Sequence, residues 1–196
     1  GRLMAFAGYS PGDSVKGFST MFEGLSISPI DPMYHLASHS LVHELEYGQS
    51  ESIDARVGLS NGLIKVSLSN PYSIAIGSWD YGIMLTDSEQ SYPMYSLTVD
   101  SEGIWRYLMH TDEGYEILSI RSATSLNTVK DMTNNLAVTI LGHRGWFFVN
   151  GGLLSGFDID ASFGPINVLV VTDLFDDNEI SGEYTDLSDF GIWGTK

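Results

Sequence analysis

Three histidines stand four apart in "YHLASHSLVHELEYG", residues 34–48: His35, His39 and His43. On a helix this spacing stacks them on one face, as a divalent metal would require. The local pattern argues for a strand instead, because Leu41, His43, Leu45 and Tyr47 alternate with Val42, Glu44 and Glu46. On a strand His39 and His43 lie about 13 Å apart, too far to share one ion. A zinc-protease pattern also needs Glu directly after the first histidine of a pair, and Ser40 follows His39. No zinc site is expected there.

Other stretches imitate catalytic or metal motifs. "GLSNG", residues 58–62, has the letters of a nucleophile elbow around Ser60, but that elbow needs a helix after it. Here a strand pattern follows, and Asn61-Gly62 reads as hairpin chemistry. The acidic stretch "DLFDDNEISGEYTDLSD", residues 173–189, resembles a calcium loop when counted from Asp177: Asp177, Glu179, Ser181, then Gly182. Its twelfth position is Ser188, where a bidentate Glu should close the cage. Asp177 and Glu179 are the candidate calcium ligands, against the plainer reading of a solvated acidic loop; no other cofactor is expected. Sugar hydrolysis requires two facing carboxylates about 5–9 Å apart. Neither E-x-D-x-E nor E-x-D-x-x-E, the patterns of sandwich glucanases, occurs. "ELE" (44–46) and "DID" (158–160) place pairs on one side of a strand but fit ordinary alternation. A polysaccharide hydrolase is therefore only a minor alternative to a non-enzyme.

Aromatic residues carry more. Trp79, Tyr81, Tyr92, Tyr95, Trp105 and Tyr107 crowd one third of the chain. An exposed ring stacks on the apolar face of a sugar, with Asp and Asn binding its hydroxyls. Trp79, Asp80, Tyr81, Tyr92 and Trp105 are accordingly the candidate ligand-binding residues. The competing reading is that these rings fill a core, and at least one of Trp79 and Trp105 is expected to do so.

The elements that must hold such residues are strands. Ile64, Val66 and Leu68 alternate with Lys65, Ser67 and Ser69; "INVLVVTD" is nearly all apolar, as in a sandwich centre. In "VTILGHRGWFFVNGGLLSGFDI" three strands are joined by a turn at Gly142 to Gly145 and a second at Asn150-Gly151, and "SLTVDSEGIWRYLMH" turns at Asp100–Gly103. No helical stripe of about 12 residues appears. Short alternating strands with turn residues between them predict an all-β, two-sheet antiparallel sandwich, one domain over 1–196. The N-terminal stretch "RLMAFAGYS" is apolar on both faces. It is expected to pair as a strand with the segment around Phe190–Trp193, or else with a neighbouring subunit's sheet.

Composition bounds the function. With 43% apolar and 17% charged residues the chain is globular. Nine Lys+Arg against 25 Asp+Glu give a formal charge of −16, which disfavours nucleic acid and repels anionic membranes. There is no cysteine, hence no thiolate nucleophile, and no apolar run long enough to insert in a bilayer. The sequence opens on Gly1-Arg2, as expected of a processed or excised chain.

The order "SLVHELEYGQSES", "VSLSNPYSIAIGSWDYGIMLT", "YSLTVDSEGIWRYL", "NNLAVTILGHRGWFFVNGGLL", "GEYTDLSDFGIW" resembles concanavalin A-like (laminin G-like) sandwich domains. More narrowly it resembles uncharacterised bacterial extracellular domains with an NPY…WDYG segment, a VNG hairpin and a closing DFxIW. The similarity spans about residues 38–193 and does not cover 1–37. It implies a jelly roll of two curved sheets, exported to the cell surface or beyond, and brings no catalytic residue with it. The expected function is non-catalytic recognition of a ligand, glycan above all, or of another surface protein. The alternative is a structural cell-surface or filament subunit that self-associates by strand addition.

Overall fold

The computed structural model describes residues 32–43, 51–87, 92–172, 180 and 182–195. Twelve strands account for its regular structure: β1 (Pro32–Val42), β2 (Ser52–Asp54), β3 (Asn61–Ser69), β4 (Asp80–Asp87), β5 (Met94–Asp100), β6 (Ile104–Thr111), β7 (Gly114–Ser122), β8 (Thr133–Leu141), β9 (Arg144–Val149), β10 (Gly152–Asp158), β11 (Ile166–Thr172) and β12 (Tyr184–Thr195). They form two six-stranded antiparallel sheets, ordered β1-β12-β3-β8-β9-β10 and β2-β11-β4-β5-β6-β7. The histidine stretch is a strand as far as Val42, carrying His35 and His39; residues 44–47, which carry most of the predicted alternation, lie outside the described residues.

Local sequence chooses these strands in the expected way. Ile64, Val66 and Leu68 face inward against Leu136, Val138 and Ile140 of β8, while Lys65 and Asn135 face out. The Asn150-Gly151 turn has both residues at positive φ (51° and 80°), the conformation that matches strand twist. At the β5–β6 turn the Asp100 carboxylate accepts from the amides of Glu102 and Ile104, both at 2.9 Å, and the Arg106 guanidinium caps its other oxygen. Two turn readings need correction. The β8–β9 turn closes on Gly142-His143 alone, and Gly145 lies within β9, where a Cβ would come 2.2 Å from the ring of Phe157. Asn61-Gly62 opens β3 rather than turning a hairpin; its neighbours are Gly194 and Thr195, and Gly62 has no room for a side chain beside the Trp193 carbonyl at 2.1 Å.

The place expected for the N-terminal stretch is filled. Residues 1–10 lie outside the described residues, but Phe190–Trp193 pairs with β1 on one edge and with Leu63–Lys65 of β3 on the other. A strand has only two edges, so no third segment can join it there.

Between the sheets lies one apolar core, in which Trp105 meets Phe147 at 6.2 Å and Tyr81 stacks on Trp79 at 5.0 Å. A polar cluster closes one end. The Tyr81 hydroxyl donates to Asn70 Oδ1 (2.8 Å) and accepts from Asn134 Nδ2 (2.8 Å). Asn70 Nδ2 donates to the carbonyls of Asn127 and Val129, and Asn134 Oδ1 accepts from the Asn127 amide and from Asn150 Nδ2. Tyr81 comes from β4 of one sheet and Asn134 from β8 of the other, Asn70 directly follows β3, and Asn127 and Val129 lie in the crossover between the sheets. Burial raises the Tyr81 hydroxyl pKa well above its usual value, so it stays a neutral donor.

This cluster sets a graded cost for its members. Tyr81→Phe removes one donor and leaves Asn134 to serve Asn70, so about 1 kcal/mol is expected. Asn134→Ala strands several buried groups at once and should cost about 3 kcal/mol. Urea unfolding should rank the two in that order; equal midpoints for Asn134→Ala and the parent would contradict the network.

Candidate functional site

Burial redistributes the residues singled out from sequence. Trp79, Asp80, Tyr81 and Trp105 are each at most 1% exposed. Trp79 donates its indole N–H to the Tyr72 carbonyl (3.1 Å), and the Tyr72 hydroxyl donates to the Ser78 carbonyl. The NPY…WDYG segment thus ties β3 to β4 from inside, and the ligand-binding reading of these four residues is corrected: a covered ring offers no face to a sugar. Tyr92, at 44% exposure, is the one member of the set open to solvent. Asp177 and Glu179 lie outside the described residues. Among the described residues no three His, Cys, Asp or Glu side chains converge as a metal would need. His35 and His39 are exposed, while His43 is buried with Nε2 2.8 Å from Thr185 Oγ1.

The rings that do face outward come from β9 and β12. In β9, Phe147 and Val149 point into the core, which turns Trp146 and Phe148 outward. In β12 the pairing register shifts between Ser188 and Gly191, with Asp189 at φ 52°. That extra residue reverses the strand's parity. Leu187 and Phe190 both reach the core, and Gly191 and Trp193 face out. Gly191 has a reason to be glycine: a Cβ there would stand 2.3 Å from Trp193, whose indole lies flat along the strand.

A groove of about 510 Å³ runs across this outer face from Trp193 on β12, over Ser67 and Ala137, to Phe148 on β9. Three strand spacings separate its ends, about 14 Å, enough for a short oligosaccharide. Lys65, Asn135 and Asp189 supply its polar groups. Ser67 Oγ donates to Asn135 Oδ1 at 2.7 Å, so the amide oxygen is engaged and the NH₂ group remains as a donor. On the same strand as Phe148, Trp146 lies over Gly156 of β10 and under the Arg144 guanidinium, 5.7 Å from the ring centre. Flat rings, small residues between them, and a cation, an amide and a carboxylate within reach suit a polar ligand with apolar faces.

Another hollow of similar size, about 560 Å³, lies among Asp54, Arg56, Asp87 and Asn167. Its polar atoms hold the protein itself together. Asn167 Nδ2 donates to Asp54 (2.7 Å), Asn167 Oδ1 accepts from the Val57 amide (3.0 Å), and Asp87 accepts from the Gly164 amide (2.7 Å). The "DID" carboxylates are exposed on either side of buried Ile159. Hydrogen bonds from the Ser162 hydroxyl and amide hold the Asp160 carboxyl below the usual range, the opposite of what a general acid needs. Ser60 is followed by β3 and not by a helix.

Sequence comparison matches this chain to no protein-family model and to no curated protein. The carbohydrate-binding module CBM66 from Bacillus subtilis superposes with a TM-score of 0.55 at 10% identity, covering 76% of this chain and 84% of that one. Porphyranase B from Zobellia galactanivorans gives 0.54 at 11% identity, over 80% and 75%. A β-1,3-1,4-glucanase (lichenase) derived from a mouse hindgut metagenome gives 0.54 at 11% identity, over 80% and 79%. The fold is a concanavalin A-like jelly roll. Identities this low carry the architecture and nothing finer.

The division between core and surface rings is measurable. Trp79→Ala and Trp105→Ala should each cost about 3–5 kcal/mol by equilibrium denaturation. Tyr92→Ala should stay within about 0.5 kcal/mol of the parent. A thermally silent Trp79→Ala would return that ring to the candidate surface.

Proposed function

We propose that this chain is a non-catalytic glycan-recognition module that works outside the cell or at its surface, with the ligand lying across the outer face of the β1–β10 sheet. The observation that carries the reading is the pair of outward rings, Trp193 and Phe148, at the two ends of a groove furnished by Lys65, Asn135 and Asp189. Trp193 and Phe148 stack on sugar faces, the Asn135 amide and Lys65 ammonium donate to ring hydroxyls, and Asp189 accepts from them. The structural likeness to a carbohydrate-binding module, and to enzymes whose names place them on polysaccharides, supports glycan as the ligand class. Recognition is favoured over hydrolysis because, among the described residues, Asp189 is the one carboxylate lining the groove, and the two-carboxylate mechanism needs a partner.

Affinity should lie in the millimolar to micromolar range typical of one or two stacking contacts, each worth about 1–2 kcal/mol. Native affinity electrophoresis against a panel of soluble polysaccharides tests this. Trp193→Ala and Phe148→Ala should each weaken retardation about 5- to 30-fold while leaving the folded baseline intact. Retardation that survives both substitutions, or no retardation on any glycan, defeats the proposal.

A further inference from the structure

The strand β7 is the outer edge of its sheet, and its exposed surface is unusually apolar. Ile117 and Ile120 are each 51% exposed and Leu118 is 40% exposed. Among the described residues no strand pairs with its free edge, which contains no Lys or Pro and whose charges are Glu116 and Arg121. The pairing with β6 also contains an irregularity: Leu108 faces Ile117 while Tyr107 faces Ser119, leaving Leu118 as an extra residue. This resets which side chains share a face. Ile117 and Ile120 stand opposite Leu108 and Arg106, on the outer side of the sheet. Glu116 and Arg121 stand opposite Met109 and Trp105, on the core side.

From this arrangement we propose that two copies of the chain pair through their β7 edges, antiparallel about a two-fold axis at the Leu118 bulge. Centred there, Ile117 of each copy opposes Ile120 of the other, and Glu116 opposes Arg121, each pair occurring twice. Without the extra residue Glu116 and Arg121, five apart, would lie on opposite faces and no such match would exist. The pairing satisfies two rows of edge amides and carbonyls, covers four isoleucines, and sets opposite charges across the seam. It joins the two copies into one continuous sheet and leaves both Trp193–Phe148 grooves facing the same way. The occupant is a second copy and not an unrelated strand, because the charge and apolar order of "EILSIR" is complementary to its own reverse.

Charge swaps test this in the full chain by analytical ultracentrifugation up to about 500 μM, a range suited to a small interface. The parent should be in a monomer–dimer equilibrium. Glu116→Arg and Arg121→Glu should each weaken it at least about tenfold, and the double swap should restore it. The single swaps separate local pairing from overall repulsion. Glu116→Arg reduces the net charge of −16 and would strengthen any association limited by that charge alone. Ile117→Lys, exposed and so harmless to folding, should give a monomer. A parent that stays monomeric throughout, a species larger than a dimer, a Glu116→Arg variant that associates as well or better, a double swap that stays weak, or an Ile117→Lys variant that still dimerises would each overturn the proposal.

Discussion

The hydrogen bonds among Asn70, Tyr81 and Asn134 are the constraint on which the rest of the sandwich depends. They are polar contacts inside a water-excluded core, where an unmade bond is far more costly than a made one is rewarding. Four parts of the chain must therefore arrive together: the end of β3, the start of β4, the crossover near Asn127 that carries the chain from one sheet to the other, and the start of β8. The constraint reaches the surface by parity. Asn134 points inward to the cluster, so its neighbour Asn135 must point outward, and Asn150 fixes both by donating to Asn134 and accepting from the Asn135 amide. A core requirement thereby sets the position of a donor in the groove.

That relation explains why the most distinctive words of the sequence are structural. Trp79, Tyr81, Asn70 and Tyr72 are concentrated at one corner because the two sheets are fastened there. The groove, by contrast, is built from ordinary strand residues whose neighbours happen to be small: Gly191 beneath Trp193, Gly156 beside Trp146, Ala137 on the floor. Its character comes from flat rings with open faces. The hollow near Asp54 and Asp87 is as large, yet Asp54, Asp87 and Asn167 already bond within the protein. What a cavity can bind depends on which of its polar atoms are unspent, and volume is silent on that.

Alternation made the strands legible, because in β3, β8 and β11 one parity is apolar and the other is not, or the whole run is apolar. Asn150-Gly151 made a turn legible for the same kind of reason: few residue pairs accept two positive φ angles. The same logic misleads where its premise fails. Asn61-Gly62 has hairpin letters, but the tight approach of the Trp193 carbonyl is what demands Gly62. In "WFF" both parities are aromatic, and alternation cannot say which faces water; rings on both faces beside a row of small residues were the available signal. The bulge at Asp189 is harder still. It reverses the parity of "DFGIW" part-way along, so Trp193 takes the face that simple alternation would have denied it. Ring density near Trp79 marks the core and not a sugar platform, although both are built of aromatics.

The position of β12 has a consequence for how the protein is made. It is the last of the twelve described strands, but it sits inside its sheet, between β1 and β3, and contributes Leu187, Phe190 and Ile192 to the core. Until residues 184–195 join, β1 has no hydrogen-bonded neighbour among the described strands and one edge of β3 is bare. The nascent chain can zip its local hairpins during synthesis, but it cannot close the sandwich. Closure of the sandwich must then wait for this segment, and until it arrives the half-built sheet keeps an open edge.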